Sequence, residues 1–196
     1  LQSRYGIAKG DRVAIAMRNY PEWVSCFIGV ITLGAVAVPM NAWWTADELA
    51  YGLKDSGARL ALADEERARR IREAGSPVPV VTIRTSHAVA AELGYEPLED
   101  ALADSPAAPW YMPPIFPDDD ALILYTSGST GMAKGAVSTQ RAVVSAALSY
   151  LVQGLAMLEL SRQKGASMPD QQVMLLNLPL FHVTGLIPVM LVSIAI

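Results

Sequence analysis

The sequence is short of charge, cysteine and basic runs, and each shortage excludes a class of protein. Charged residues make up 17% of its 196 positions, against about 25% in an ordinary globular domain. The 15 Lys and Arg are outnumbered by 19 Asp and Glu, giving a net charge of −4. With no basic run either, nucleic acid is excluded as the main partner. The single cysteine, Cys26, falls on an apolar helical pattern and leaves no disulfide framework. No basic N-terminal region leads into an apolar stretch with a small-residue cleavage site, so a cytoplasmic protein is expected. The 14 Gly and 13 Pro are scattered among recurring apolar residues, which excludes disorder and collagen-like repeats.

Long apolar runs are also missing, although 52% of the residues are hydrophobic and the mean hydropathy is +0.29. The two most apolar windows are 23–39 and 183–196. The first is interrupted by Ser25, Gly29, Thr32 and Gly34, and the second is shorter than the roughly 20 residues a spanning helix needs. Both read as core helices, and no transmembrane segment is expected. The chain opens at Leu1 and ends inside the apolar run Leu191-Val192-Ser193-Ile194-Ala195-Ile196, with no Gly, Asn or Pro to stop a helix. A fragment of a longer chain is therefore expected, with residues 1–196 forming part of one domain.

What is present alternates. Residues 13–17 form an apolar strand pattern, after which Asn19 can cap a helix, Pro21 suits its first turn and Glu22 its positive end. Trp23, Phe27, Val30, Ile31 and Gly34 share one face of that helix. Residues 35–39 read as the next strand. Thr45 and Glu48 form a capping box for a helix running to Ser56-Gly57. A strand at 58–63, a charged surface helix at 65–74 and a strand at 78–83 follow. Repeated strand–helix pairs with short links predict an α/β fold, a layered parallel sheet with helices on both faces. Residues 84–117 carry six prolines and little periodicity, the pattern of a long surface connection. Beyond it come a buried strand at 121–125, a helix marked by Val143, Ala147, Leu148, Leu151 and Leu155, and a flexible insertion at 158–172. A strand at 173–177 and a loop at 179–185 opening a last helix complete the pattern, and no internal repeat occurs.

The stretch with chemistry in it is Tyr125-Thr126-Ser127-Gly128-Ser129-Thr130-Gly131-Met132-Ala133-Lys134-Gly135. Glycines let backbone amides approach an anion, hydroxyls add donors and a lysine adds mobile positive charge, a set suited to a polyphosphate. A short version would be an ordinary polar turn; eleven such residues after a buried strand favour a binding loop. Two familiar phosphate loops do not fit. Counting from Gly128, the second glycine of a P-loop is replaced by Ala133, and Lys134 is followed by Gly135 rather than Ser or Thr. The dinucleotide Gly-x-Gly-x-x-Gly pattern is absent as well.

The loop closely resembles that of the adenylate-forming superfamily, which comprises acyl-CoA synthetases, peptide-synthetase adenylation domains and luciferases. Only Ala133 departs, standing where the family has Pro, a change that loosens the unbound loop without removing a ligand. Pro179-Leu180-Phe181-His182-Val183-Thr184-Gly185 resembles the family's next loop, and Gly10-Asp11-Arg12-Val13 through Ala35-Val36-Ala37-Val38-Pro39-Met40-Asn41 resembles its N-terminal region. The resemblance thus covers nearly the whole chain and is specific for superfamily rather than substrate, with Phe181 to Gly185 more like acyl- and aryl-CoA synthetases.

The resemblance implies the large N-terminal domain of an ATP-dependent acyl-CoA synthetase. Such an enzyme joins a carboxylate to ATP as acyl-AMP, releases pyrophosphate and passes the acyl group to coenzyme A. It implies that Thr126, Ser127, Gly128, Ser129, Thr130 and Gly131 hold phosphates, that Thr126 and Lys134 are catalytic, and that Ser129 lies near Mg²⁺. Phe181, His182 and Gly185 would line the substrate pocket, with His182 a pocket wall rather than a base. Two other readings stay open: an adenylating enzyme with a different acceptor, or a catalytically silent nucleotide-binding or assembly module. The family's adenine loop, acidic Mg²⁺ ligand, ribose-binding Asp, hinge and C-terminal domain lie beyond Ile196, so the isolated chain is expected to be inactive. The acid and the oligomeric state are not legible. The remaining candidates read as structural: His87 as solvated, Trp43-Trp44 as a cap on the sheet edge, Asp118-Asp119-Asp120 as a solvated turn, and Cys26 as core.

Overall fold

The computed structural model describes residues 1–103, 111–126, 131–165 and 173–195. Its centre is a seven-stranded sheet in the order β5-β4-β3-β1-β2-β6-β7. The strands are β1 (Arg12–Ala16), β2 (Val36–Pro39), β3 (Leu60–Asp64), β4 (Val80–Ile83), β5 (Glu96–Pro97), β6 (Asp120–Thr126) and β7 (Lys134–Thr139). All neighbours pair in parallel except β6 and β7, which are antiparallel. The sheet is therefore mixed, and mostly parallel as expected. Strands β1 to β4 are near-continuous apolar runs because helices cover both their faces.

Side chains alternate across the sheet into two cores. On one face Val13, Ile15, Leu60, Leu62 and Leu122 pack with Trp23, Phe27 and Val30 of α2 (Pro21–Thr32) and with Leu186, Ile187 and Met190 near the end of the chain. On the other, the small residues Ala14, Ala16, Ala61 and Ala63 leave room that larger side chains fill. These are Leu49 and Leu53 of α3 (Ala46–Ser56), Ile71 of α4 (Glu65–Glu73) and Leu93 of α5 (His87–Leu93). Each fully buried Leu or Ile contributes about 1.5–3 kcal/mol of transfer free energy. The capping box on α3 forms as predicted: Thr45 Oγ1 accepts from Glu48 N, and Glu48 Oε2 accepts from Thr45 N at 2.8 Å. Gly57 ends the helix with φ 62°, and Arg12 donates to the freed carbonyls of Ser56 and Gly57.

Several expectations are corrected. Segment 84–117 is not one long connection: it contains α5, capped by Ser86, then β5 on the sheet edge and α6 (Leu98–Ala103). Five of its six prolines follow Ala103, so residues 84–103 are free to fold. Residues 173–177 pair with no strand; Val173 and Leu175 are exposed. The helix after β7, α7, runs Gln140–Gln163 and absorbs the first part of the predicted 158–172 insertion; 166–172 lie outside the described residues. The last helical segment is a π-helix over Gly185–Leu191 leading into α8 (Val192–Ala195). Pro188 inside it has no amide to donate, and in an α-turn its ring would clash with the carbonyl four residues back, a clash that the wider winding relieves.

Helix α4 is less exposed than its charge pattern predicts. Arg67 is 1% exposed, donates to both carboxylate oxygens of Asp64 at 2.9 and 2.8 Å and sends Nε to the carbonyl of Ala42. Helix α7 was not among the apolar windows singled out above, yet it is long and apolar enough by length and composition to cross a membrane. In this fold it sits against the sheet through Val143, Ala146 and Ala147, while Leu148, Val152, Leu155 and Met157 are exposed.

Candidate functional site

Ligands of open α/β sheets collect outside the carboxyl ends of parallel strands. Here the ends of β2 and β6 open into a cleft of about 450 Å³. Pro39, Asn41 and Trp44 form one wall, Tyr125 and Thr126 with Ala133 and Ala136 the floor, and Phe181, His182 and Val183 the third side.

The strands on either side of the glycine- and hydroxyl-rich stretch, β6 and β7, pair antiparallel. Thr126 lies opposite Lys134 in the ladder, and Thr126 Oγ1 donates to the carbonyl of Lys134 at 3.3 Å. Strand β7 turns back on β6 instead of passing directly into a helix. Lys134 is exposed and its ammonium forms no ion pair among the described residues. Gly131 has φ 131°, a conformation open to glycine, with free space around its Cα. Ser127, Gly128, Ser129 and Thr130 lie outside the described residues.

The second predicted loop meets the first across the cleft. A hydrogen bond that composition does not announce sets its place: Asn19, expected to cap α2, leaves that role to Tyr20, whose side chain makes no capping bond. Asn19 instead donates Nδ2 to the carbonyl of Leu178 at 2.7 Å and accepts from Leu180 N at 2.9 Å. Leu180 is buried below, and Phe181 projects against the edge of Trp43, with centroids 5.1 Å apart and planes at 85°. His182 is exposed; its Nδ1 accepts from Thr184 N at 3.5 Å and faces Thr184 Oγ1 at 3.3 Å. Gly185 does not touch the cleft: a Cβ there would collide with the carbonyl of Pro179, so the residue permits a close backbone approach.

The two tryptophans divide. Trp44 is buried beside Tyr125, whereas Trp43 is 60% exposed and meets Phe181. Helix α4 holds their turn, with Arg67 on the Ala42 carbonyl and Arg70 on the Trp44 carbonyl at 2.7 Å. His87 is remote, paired with Asp100 at 2.9 Å. The acidic triplet is a surface turn: Asp118 meets Arg141, and Lys9, then the Phe116 amide, hold the Asp119 carboxyl below the usual range. Burial pushes the Cys26 thiol up to about 12, which keeps it protonated and unreactive. Among the described residues no cluster of His, Cys, Asp or Glu could hold a metal ion.

A mostly parallel, doubly covered sheet with a polar hairpin opening onto a cleft at its strand ends defines an α/β ligand-binding domain. A family model for AMP-binding enzymes matches residues 1–196, and the chain belongs to that family. It is 38% identical over 187 residues to the long-chain-fatty-acid–CoA ligase FadD13 of Mycobacterium tuberculosis, a match covering 92% of this chain and 32% of that protein. It is 36% identical over 138 residues to the crotonobetaine/carnitine–CoA ligase of Salmonella arizonae, covering 68% of this chain and 26% of the relative. Among solved structures, ATP-bound MatB from Rhodopseudomonas palustris superposes with a TM-score of 0.69 at 26% identity, over 98% of this chain and 35% of that one. The chain thus spans about a third of the length of the curated relatives it matches.

Proposed function

We propose that the whole protein is an ATP-dependent acyl-CoA synthetase, an acid–thiol ligase. A carboxylate oxygen attacks the α-phosphorus of ATP and the bond to pyrophosphate breaks. The sulfur of coenzyme A then attacks the acyl carbon of acyl-AMP and AMP leaves. The first step brings two anions together, so neutralisation and alignment carry the catalysis. Thr126, Ser127, Gly128, Ser129, Thr130 and Gly131 hold the phosphates. Lys134 follows the pyrophosphate as its negative charge grows. Phe181 and His182 form the side of the cleft that faces the acyl group, and Gly185 lets their loop close on Pro179.

The observation that carries this reading is the Thr126/Lys134 hairpin end opening onto the Phe181–His182 loop in a single cleft, in a chain of the AMP-binding family. Mg²⁺ belongs to this proposal as the counter-ion of the nucleotide phosphates, with Ser129 the hydroxyl assigned beside it. The described residues build no metal site of their own, and no step is derived through the ion. A cytoplasmic location goes with soluble substrates of this kind. The test is carboxylate-dependent ATP–pyrophosphate exchange by the full-length protein across fatty, aryl and short acids, followed by coenzyme A thioester formation. Exchange with at least one acid is expected, and none with any acid would overturn the proposal.

A further inference from the structure

Tyr125 and Gly135, the first and last residues of the loop motif, lie opposite each other in the β6–β7 ladder, outside the stretch assigned to phosphates. The Tyr125 hydroxyl crosses to α3, donating to Asp55 Oδ2 at 2.7 Å and lying 3.2 Å from the carbonyl of Gly52. Its ring takes the edge of Trp44, with centroids 5.3 Å apart and planes at 73°. Two glycines make room for this cluster. A Cβ at Gly52 would stand 2.6 Å from Trp44 Cζ3, and one at Gly135 would stand 2.9 Å from Ile123 Cγ2 and 3.4 Å from Tyr125 Cζ. Neither glycine has a positive φ, so both are required for space rather than backbone freedom. Gly52 lies inside α3, where glycine is a poor helix former. Burial, then the Asp55 carboxylate, raises the hydroxyl's pKa, which keeps Tyr125 a donor at neutral pH. On the far side, Arg70 holds the Trp44 carbonyl.

We infer that Tyr125, Asp55 and Trp44, seated by Gly52 and Gly135, form a clamp that fixes the Thr126/Lys134 end of the hairpin relative to the cleft, so that Tyr125 and Asp55 are positioning residues for nucleotide binding. The clamp ties α3 and α4 to the loop: the Trp44 and Tyr125 rings line the cleft, while the Tyr125 hydroxyl and Asp55, the groups assigned the positioning role, meet on the α3 side. Its consequence for ATP rests on the proposed function; its mechanical content does not.

Two conservative variants of the full-length protein test it. Tyr125→Phe removes only the hydroxyl, and Asp55→Asn keeps the shape of its partner. In ATP–pyrophosphate exchange each is expected to raise the KM for ATP about tenfold, the factor of one good hydrogen bond. The KM for the carboxylate should stay unchanged and the melting temperature nearly so, and the double variant should be no worse than either single one. Backbone hydrogen exchange at the Thr126/Lys134 end should quicken about tenfold in both, as expected when local opening is freed. Unchanged hydrogen exchange in both variants would overturn the clamp whatever ATP does. Faster hydrogen exchange with an unchanged KM for ATP would overturn the positioning role. A wild-type protein inactive with every acid would overturn the proposed function, and the hydrogen-exchange arm would then support or overturn the clamp by itself.

Discussion

The two ends of the sheet are built differently. Strands β1 and β3 are buried along almost their whole length, and the helices beside them bury Leu49, Leu53, Ala68 and Ile71. At the other end β7 is exposed over most of its length and α7 buries none of its residues. The first region is held by packing on two faces. The second, on either side of the loop motif, is held by the pairing of β6 with β2 and β7, by a few side chains of α7, by the contacts of α7 with the segment Gly185–Ala195, and by the Tyr125 contacts. The best-packed part of the chain and the proposed site therefore lie at opposite ends of the sheet. A helix apolar around much of its circumference with so little cover gains little stability from its own domain.

The largest effect on the packed region should come from Arg67→Met, which leaves Asp64 charged and buried without its partner. A loss of about 3–5 kcal/mol is expected, read from urea unfolding; a loss near zero would mean that the pair is not isolated from water. Leu53→Ala should cost about 2–5 kcal/mol through the cavity it opens, whereas Leu155→Ala on α7 should change stability by about 0.5 kcal/mol or less. Equal losses would erase the contrast between the two regions. Next comes Asn19→Ala, which unpairs Leu178 and Leu180 and should cost about 1–3 kcal/mol. In hydrogen exchange its effect should be confined to 178–182 rather than spread over α2. The smallest effect concerns acid. The Arg4 guanidinium, then the Tyr5 hydroxyl, lowers the Glu96 pKa. A lowered folded value means the contribution is complete above the ordinary glutamate pKa and is lost as pH falls through the folded one. Glu96→Gln should flatten the acid limb below about pH 4, and an unaltered limb would contradict it.

The packed region was also the legible one. Continuous apolar runs at β1 to β4 and the Thr45–Glu48 box mark their elements locally, because burial on two faces and capping are short-range demands. Strand β7 was missed because Lys134-Gly135-Ala136-Val137-Ser138-Thr139 has no apolar alternation: its pairing comes from β6 alone. Helix α5 and the two-residue β5 are too short to show a period. Of the site, the loop's composition was legible, but the arrangement around it was not. Tyr125 finds Asp55 at a separation of 70 residues and Asn19 finds Leu178 at 159, and Asn19 looked like an ordinary helix cap. The burial of Arg67 is hidden by its charge, since Asp64, Glu66 and the Ala42 carbonyl together make it tolerable.

In the proposed function the exposed hairpin end, not the packed half, carries the reaction. Its most direct test is Lys134→Ala in the full-length protein, with ATP–pyrophosphate exchange and thermal unfolding measured on the same sample. A fall in exchange of about 10²–10³-fold is predicted, the scale of losing one charge-stabilising group at a transition state, with unfolding unchanged because the Lys134 side chain is exposed. Exchange at the wild-type rate would contradict the claim.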